Sequence, residues 1–205
     1  TGGFSTSITT GQNGLIYLAW VDPDQNAMVG QYDPATDTLT TQVVFTNVFA
    51  DGHHKVSLGI DERGYIHYAG DMHSHGFLRP DNERDAEPAK SRMVVDGEGQ
   101  TVDTTAHSWQ YWVSDQPYDI SSFTFEGSTA RAVPGIHVSY PRFKRDRTGT
   151  LYAIFRHRIT PNPDQLYNEV GQSYTDAPGY TKGTFAGGVA RYDSASQTWT
   201  MLGGS

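Results

Sequence analysis

Cysteine is absent from this chain of 205 residues, which excludes disulfide staples and thiolate metal ligands and leaves the compartment open. No run is apolar for long enough to cross a bilayer. Charge is sparse and tilted to one sign: 23 Asp and Glu against 15 Lys and Arg give a formal net charge of −8, which argues against a general nucleic-acid binder. Helical periodicity and long Ala/Leu/Glu/Lys runs are nearly missing as well. What remains is a glycine-rich, aromatic-rich sequence, with 22 Gly, 12 Tyr, 9 Phe and 4 Trp, and that mixture favours strands and turns. The expected fold class is all-β.

Strand-length runs bounded by Gly, Asp, Asn and Pro recur along the chain. Three turns look alike: Gly11-Gln-Asn-Gly14, Asp61-Glu-Arg-Gly64 and Asp146-Arg-Thr-Gly149. Each places a glycine able to take positive φ just before an apolar strand. A second element repeats too, Val29-Gly-Gln-Tyr-Asp33 matching Val189-Ala-Arg-Tyr-Asp193, each followed by a polar turn and another strand. A recurring two-hairpin unit is how a β-propeller blade of four antiparallel strands reads. Three blades are expected, at about 4–47, 51–127 and 135–202, with loop insertions at 76–106 and 159–184. Three blades do not close a ring, and an open array leaves hydrogen-bonding strand edges exposed at both ends. The chain is therefore expected to be part of a larger propeller, completed by a longer chain or a partner chain.

Five of the eight histidines fall between Asp51 and His75: His53, His54, His67, His73 and His75. Imidazole titrates nearest neutrality, so this density points to proton transfer or metal ligation. The intervening residues read as strand, turn, strand, which puts His53 before one strand and His73 after the next, at the same end of a hairpin. His67 alternates with apolar neighbours and is expected to pack within its strand. From Arg131 to Arg158 the chain carries seven cations (Arg131, Arg142, Lys144, Arg145, Arg147, Arg156 and Arg158) against Asp146 alone. A basic zone on an acidic protein suits a small or polymeric anion, or is a solvated strand face.

The stretch from Asp51-Gly-His-His to Asp71-Met-His73, with Ser139-Tyr-Pro-Arg-Phe, Leu151-Tyr-Ala-Ile-Phe-Arg156 and Phe185-Ala-Gly-Gly-Val-Ala-Arg-Tyr-Asp193, resembles BNR-type propeller proteins that include the ulvan lyases of polysaccharide lyase families 24 and 25. The resemblance spans most of residues 45–202 and implies a seven-bladed propeller. It also implies β-elimination by two histidines, a tyrosine and an arginine, which fall on His53, His73, Tyr140 and Arg156. His54 stands where another polar residue is expected, so either neighbour faces the substrate.

The chemistry of the residue types agrees. Removing the proton α to a uronate carboxylate builds charge on that carboxylate, and the departing glycosidic oxygen needs a proton. His53 suits the base, and the planar fork of Arg156, aided by His73, suits the carboxylate. Tyr140 serves as acid or, beside Arg142 and Arg156, as base. The residues leave base and acid unassigned among His53, His73 and Tyr140. Arg142 and Arg158, each two residues on, are candidates for substrate sulfate or carboxylate by strand alternation. Trp109 and Tyr111 read as sugar-stacking platforms or as core.

Three rivals stand beside this reading. His53, His73, His75 and Asp71 contain the ligand types for zinc, but no metal-ligand spacing of the H-E-x-x-H kind occurs. A sialidase-like hydrolase uses an arginine trio and a Tyr–Glu pair, and retaining glycosidases need two carboxylates; Glu169 and Asp164 sit in a loop without an obvious partner, and the histidines go unexplained. A non-catalytic carbohydrate-binding propeller keeps the scaffold without the reaction. The expectation is an exported lyase, secreted or periplasmic with its leader removed. Its partner is an anionic polysaccharide, not nucleic acid or membrane. It needs no catalytic cofactor, though a structural metal ion is compatible with the scaffold.

Overall fold

The computed structural model describes residues 6–48, 55–72, 93–97, 99–103, 109–127, 129–133, 138–158 and 185–203. Among them there is no helix. The first sheet is an antiparallel meander of β1 (Ile8–Thr10), β2 (Ile16–Val21), β3 (Ala27–Asp33) and β4 (Thr38–Phe45). The second runs β5 (Ser57–Ile60), β6 (Ile66–Ala69), β9 (Tyr111–Ser114), β10 (Phe123–Phe125), and the third β11 (Ser139–Arg145), β12 (Leu151–Arg158), β13 (Phe185–Asp193), β14 (Thr198–Gly203). A separate hairpin, β7 (Met93–Val95) with β8 (Thr101–Asp103), falls inside the 76–106 insertion, so that insertion is not loop throughout. It joins the end of the first sheet through the Phe45–Asp96 bridge and the Thr46 N–H on the Val95 carbonyl. The insertion at 159–184 lies outside the described residues.

Each sheet begins with its inner strand, and the three inner strands lie side by side, which is the arrangement of propeller blades. The Ser57 hydroxyl ties them together: it accepts from the Thr6 N–H at 2.8 Å and donates to the Pro141 carbonyl at 2.5 Å. Leu58 N–H bonds the Thr6 carbonyl at 2.9 Å, and the Thr6 hydroxyl reaches the Phe143 carbonyl at 3.1 Å.

The middle sheet explains why its strands read as uninterrupted buried runs. Both of its faces are covered, so period-2 alternation sends Ile66, Tyr68 and Trp112 toward the first sheet and His67, Ala69 and Tyr111 toward the third. On the first side Phe45 stacks on Trp112 with ring centroids 5.5 Å apart. On the other, Phe143, Leu151, Phe155, Tyr192 and Trp199 close over the sheet. Burial of side chains of this size stabilises by about 1.5–3 kcal/mol each. Gly59 sits in β5 against Phe143 of β11, where an added Cβ meets the Phe143 side chain and Leu151 Cδ1. Gly59→Ala is therefore expected to force the second and third sheets apart and cost about 1–3 kcal/mol, read as a lower denaturant midpoint.

The three look-alike turns share one pattern. The N–H of the last residue bonds the carbonyl of the first (Gly14 to Gly11, Gly64 to Asp61, Gly149 to Asp146), with φ of 83°, 92° and 98° at the glycines. Asp61 Oδ1 also accepts from the Arg63 and Tyr65 N–H groups, and Asp146 Oδ1 from those of Thr148 and Thr150. The same loop occurs twice more among the described residues. Asp96 accepts from the Gly99 and Gln100 N–H groups, and Asp22 from those of Gln25 and Asn26. In the second case Gln25 takes the left-handed position at φ 64°, so no glycine marks it.

Candidate functional site

The turns 61–64 and 146–149 define one end of the second and third sheets. At the other end β6 runs out into Gly70-Asp71-Met72, beside the start of β11 and the far end of β12. Met72 is pinned from two directions. Its carbonyl accepts the Tyr140 N–H at 3.4 Å, and its sulfur accepts the Gln110 N–H at 3.2 Å. Asp71 is fully buried and adopts φ 53°, a conformation that Asp tolerates better than most side chains.

Tyr140 is positioned by a β-bulge. The β11–β12 register passes from Ser139 opposite Arg156 to Arg142 opposite Ile154, so β11 holds one extra residue. Pro141, which has no N–H to give a ladder, occupies the bulge, and its carbonyl is held by Ser57. Tyr140 takes φ 57° there, a left-handed conformation that costs a bulky side chain on the order of 1–3 kcal/mol. The outcome is a stacked pair: the Arg156 guanidinium carbon lies 4.5 Å from the Tyr140 ring centroid. Both side chains are half-buried. The ring face holds the planar cation in place while the phenol and the guanidinium edge stay adjacent.

The sequence-derived candidates divide accordingly. Tyr140 and Arg156 come together. Arg142 is half-buried opposite Ile154 and shares the Arg156 face, placed there by cross-strand pairing across a bulge that interrupts simple alternation. Arg158 pairs with Phe185 in the backbone register, and its side chain lies outside the described residues. His53, His54 and His73 also lie outside them, as does His75. Trp109 is a correction: it is 0% exposed, packed edge-on to Phe155 with centroids 4.9 Å apart, so its ring belongs to the core and offers no stacking face. Tyr111 is likewise buried, its hydroxyl 2.5 Å from His67 Nδ1. Asp71, weighed in the sequence as a zinc ligand, is instead a buried backbone corner; the bulge had one signal in the sequence, the Tyr-Pro step at a strand start.

A cavity of about 190 Å³ opens at the turn end, lined by Asp61, Glu62, Thr150, Arg191 and Ser194 among others. Its polar groups serve the turns. Glu62 accepts the Ser194 hydroxyl, Arg63 donates to the Ser194 carbonyl at 3.0 Å, and Asp61 Oδ1 holds the backbone of its own turn. It is a seam between blades, remote from the Tyr140–Arg156 pair. Among the described residues no group of three His, Asp or Glu side chains is arranged to hold a metal ion.

The sheets and their turns define a β-propeller built from four-stranded antiparallel blades. Residues 15–104 match the sequence family BNR_4, described as a BNR repeat-containing family member. Among solved structures, the chain is similar to a PL25 ulvan lyase bound to -[GlcA(1-4)Rha3S]-, with TM-score 0.55 and 15% identity over 97% of this chain and 38% of that one. A second structure described as PL25 ulvan lyase gives TM-score 0.54 at 15% identity, covering 97% of this chain and 38% of that one. The polysaccharide lyase Uly1 gives TM-score 0.63 at 11% identity, covering 98% of this chain and 41% of that one. A search of curated proteins finds no match. The chain thus resembles BNR-type propeller polysaccharide lyases and spans about two-fifths of the length of those solved structures.

Proposed function

We propose that this chain carries part of the active site of an exported polysaccharide lyase that cleaves a uronate-containing, sulfated polysaccharide by β-elimination. The observation that carries the reading is the stacked Tyr140–Arg156 pair, placed by a strained bulge beside Met72, the residue before His73. In this reading Arg156, with His73, binds the uronate carboxylate on which charge builds as the α-proton leaves. His53 takes that proton, with His54 beside it, and Tyr140 delivers one to the departing glycosidic oxygen. Arg142 and Arg158 add positive charge along the polymer path. No step calls for a cofactor, so turnover should survive a chelator.

Ile8 and Leu39 on the first sheet, and Ile154 and Leu202 on the third, point outward and are exposed. Further blades, from a longer chain or a partner chain, cover those faces in this proposal.

The test is incubation with ulvan while following the ultraviolet absorbance of the unsaturated uronate. Rising absorbance is the expected result. New reducing ends without absorbance would mean hydrolysis, and polymer retention without either product would mean a binding module; each overturns the reading.

A further inference from the structure

Tyr140 holds a backbone conformation that its local sequence opposes. Its φ of 57° is left-handed, whereas the residue before a proline ordinarily takes an extended backbone. Such a residue persists only where its surroundings over-determine it. Here the Tyr140-Pro141 dipeptide is gripped at both ends by the second blade. At one end the Tyr140 N–H reaches the Met72 carbonyl at 3.4 Å, long for a hydrogen bond. At the other the Pro141 carbonyl accepts the Ser57 hydroxyl at 2.5 Å, the short end of the range. The stronger grip is therefore a single, fully buried hydroxyl on β5.

The first sheet sets the direction of that hydroxyl. A serine O–H rotates to suit its partners, so its aim depends on what else its oxygen meets. The Thr6 N–H donates to Ser57 Oγ at 2.8 Å and takes up a lone pair, which leaves the hydroxyl proton for Pro141. The Thr6 hydroxyl adds a second tie to β11, on the Phe143 carbonyl at 3.1 Å. Contacts thus run from the first sheet through Ser57 to the bulge, and the bulge seats the Tyr140 ring against the Arg156 guanidinium. We infer that Ser57 is a positioning residue for the Tyr140–Arg156 pair. Through it the first blade, which supplies none of the groups assigned to the reaction, fixes where the phenol stands. The effect on turnover rests on the lyase reading; the effect on the ring does not.

The experiment uses the protein containing this chain, with para-fluorophenylalanine at position 140 for fluorine NMR and the natural tyrosine for kinetics on ulvan. Ser57→Ala removes the donor with little change of size. Its fluorine resonance is expected to move toward that of Arg156→Ala, where the ring has no cation against it. At a temperature well below unfolding its kcat should fall about ten-fold or more, with KM within about three-fold. Ser57→Cys, a weaker donor of similar shape, should lie between, and gives the same reading where the alanine variant folds poorly. Thr6→Pro, which removes the orienting N–H, should move both signals further than Thr6→Val, which removes only the side-chain hydroxyl. A Ser57→Ala resonance that stays in place, or one that moves with kcat unchanged in a protein that cleaves ulvan, overturns the positioning role. A lowered melting temperature alone would mark a plain structural tie and overturns it equally. Equal effects of Thr6→Pro and Thr6→Val overturn the part given to the first blade. A protein that does not cleave ulvan, yet shows the displaced resonance in Ser57→Ala, removes the lyase reading and leaves Ser57 placing the ring.

Discussion

Tyr140→Phe is expected to lose on the order of 10²–10⁴-fold in elimination rate while keeping its melting temperature, because the substitution removes one oxygen and leaves the ring. The ring is what the Arg156 guanidinium rests on at 4.5 Å, so the cation keeps its place and substrate binding should change little. The loss should therefore appear in kcat with KM nearly constant, the pattern of a group needed in the transition state. Arg156→Lys makes the complementary case. Lysine keeps the charge but has neither a flat face for the Tyr140 ring nor a two-pronged fork for a carboxylate, so kcat/KM should fall by at least 100-fold. Tyr140→Ala is the harsher control. It strips the platform from Arg156, and both rate and stability should drop. Wild-type turnover by Tyr140→Phe on ulvan would remove the phenol from the chemistry and with it the proposed division of roles.

The blade pattern was legible because it is local. A four-residue turn with a terminal glycine, followed by an apolar strand, repeats at Gly11, Asp61 and Asp146 without any knowledge of the tertiary fold. The two further copies escaped for an equally local reason: at Asp22 glutamine takes the left-handed position, and the copy at Asp96 sits in a segment whose polarity reads as loop. The site was legible only as residue types. That Tyr140 meets Arg156 depends on a bulge set by Pro141 and by the Ser57 hydroxyl, which is 84 positions away in the chain. Trp109 shows the limit from the other side. An indole has the same composition whether it faces sugar or core, and only the Phe155 ring against it decides. His67 fell the other way, since its place between Ile66 and Tyr68 in a buried run already marked it as packed.

That buried imidazole sets the second large expectation, a loss of stability in mild acid. His67 is 0% exposed, with the Tyr192 ring edge-on at 4.5 Å and Trp199 edge-on at 5.8 Å. Its Nδ1 meets the Tyr111 hydroxyl, which also accepts the Trp199 indole N–H at 3.3 Å. Its Nε2 lies 3.5 Å from Asp61 Oδ2, long for a hydrogen bond, so the pull of Asp61 is mainly that of its charge. Burial lowers the His67 pKa below its ordinary value, and the nearby positive charge of Arg131 adds to that; Asp61 opposes without reversing it. Burial is the chief cause that raises the surrounding phenols, Tyr111 well above the usual value and Tyr192 to about 12, so both stay neutral throughout the range that matters. The sign follows. Below the unfolded value of 6.5 the unfolded chain takes up a proton that the folded chain refuses, so folding loses stability as pH falls. The slope reaches about 1.4 kcal/mol per pH unit from this one group, and it ends where the folded imidazole itself protonates. Urea midpoints measured from pH 8 to pH 5 should be flat for His67 above neutrality and fall below it. His67→Gln, which keeps a polar side chain but cannot titrate, should remove that component. Subtracting the two profiles isolates His67 from the other histidines, and a difference that stays level through pH 6.5, or rises as pH drops, would contradict a neutral imidazole sealed between the second and third blades.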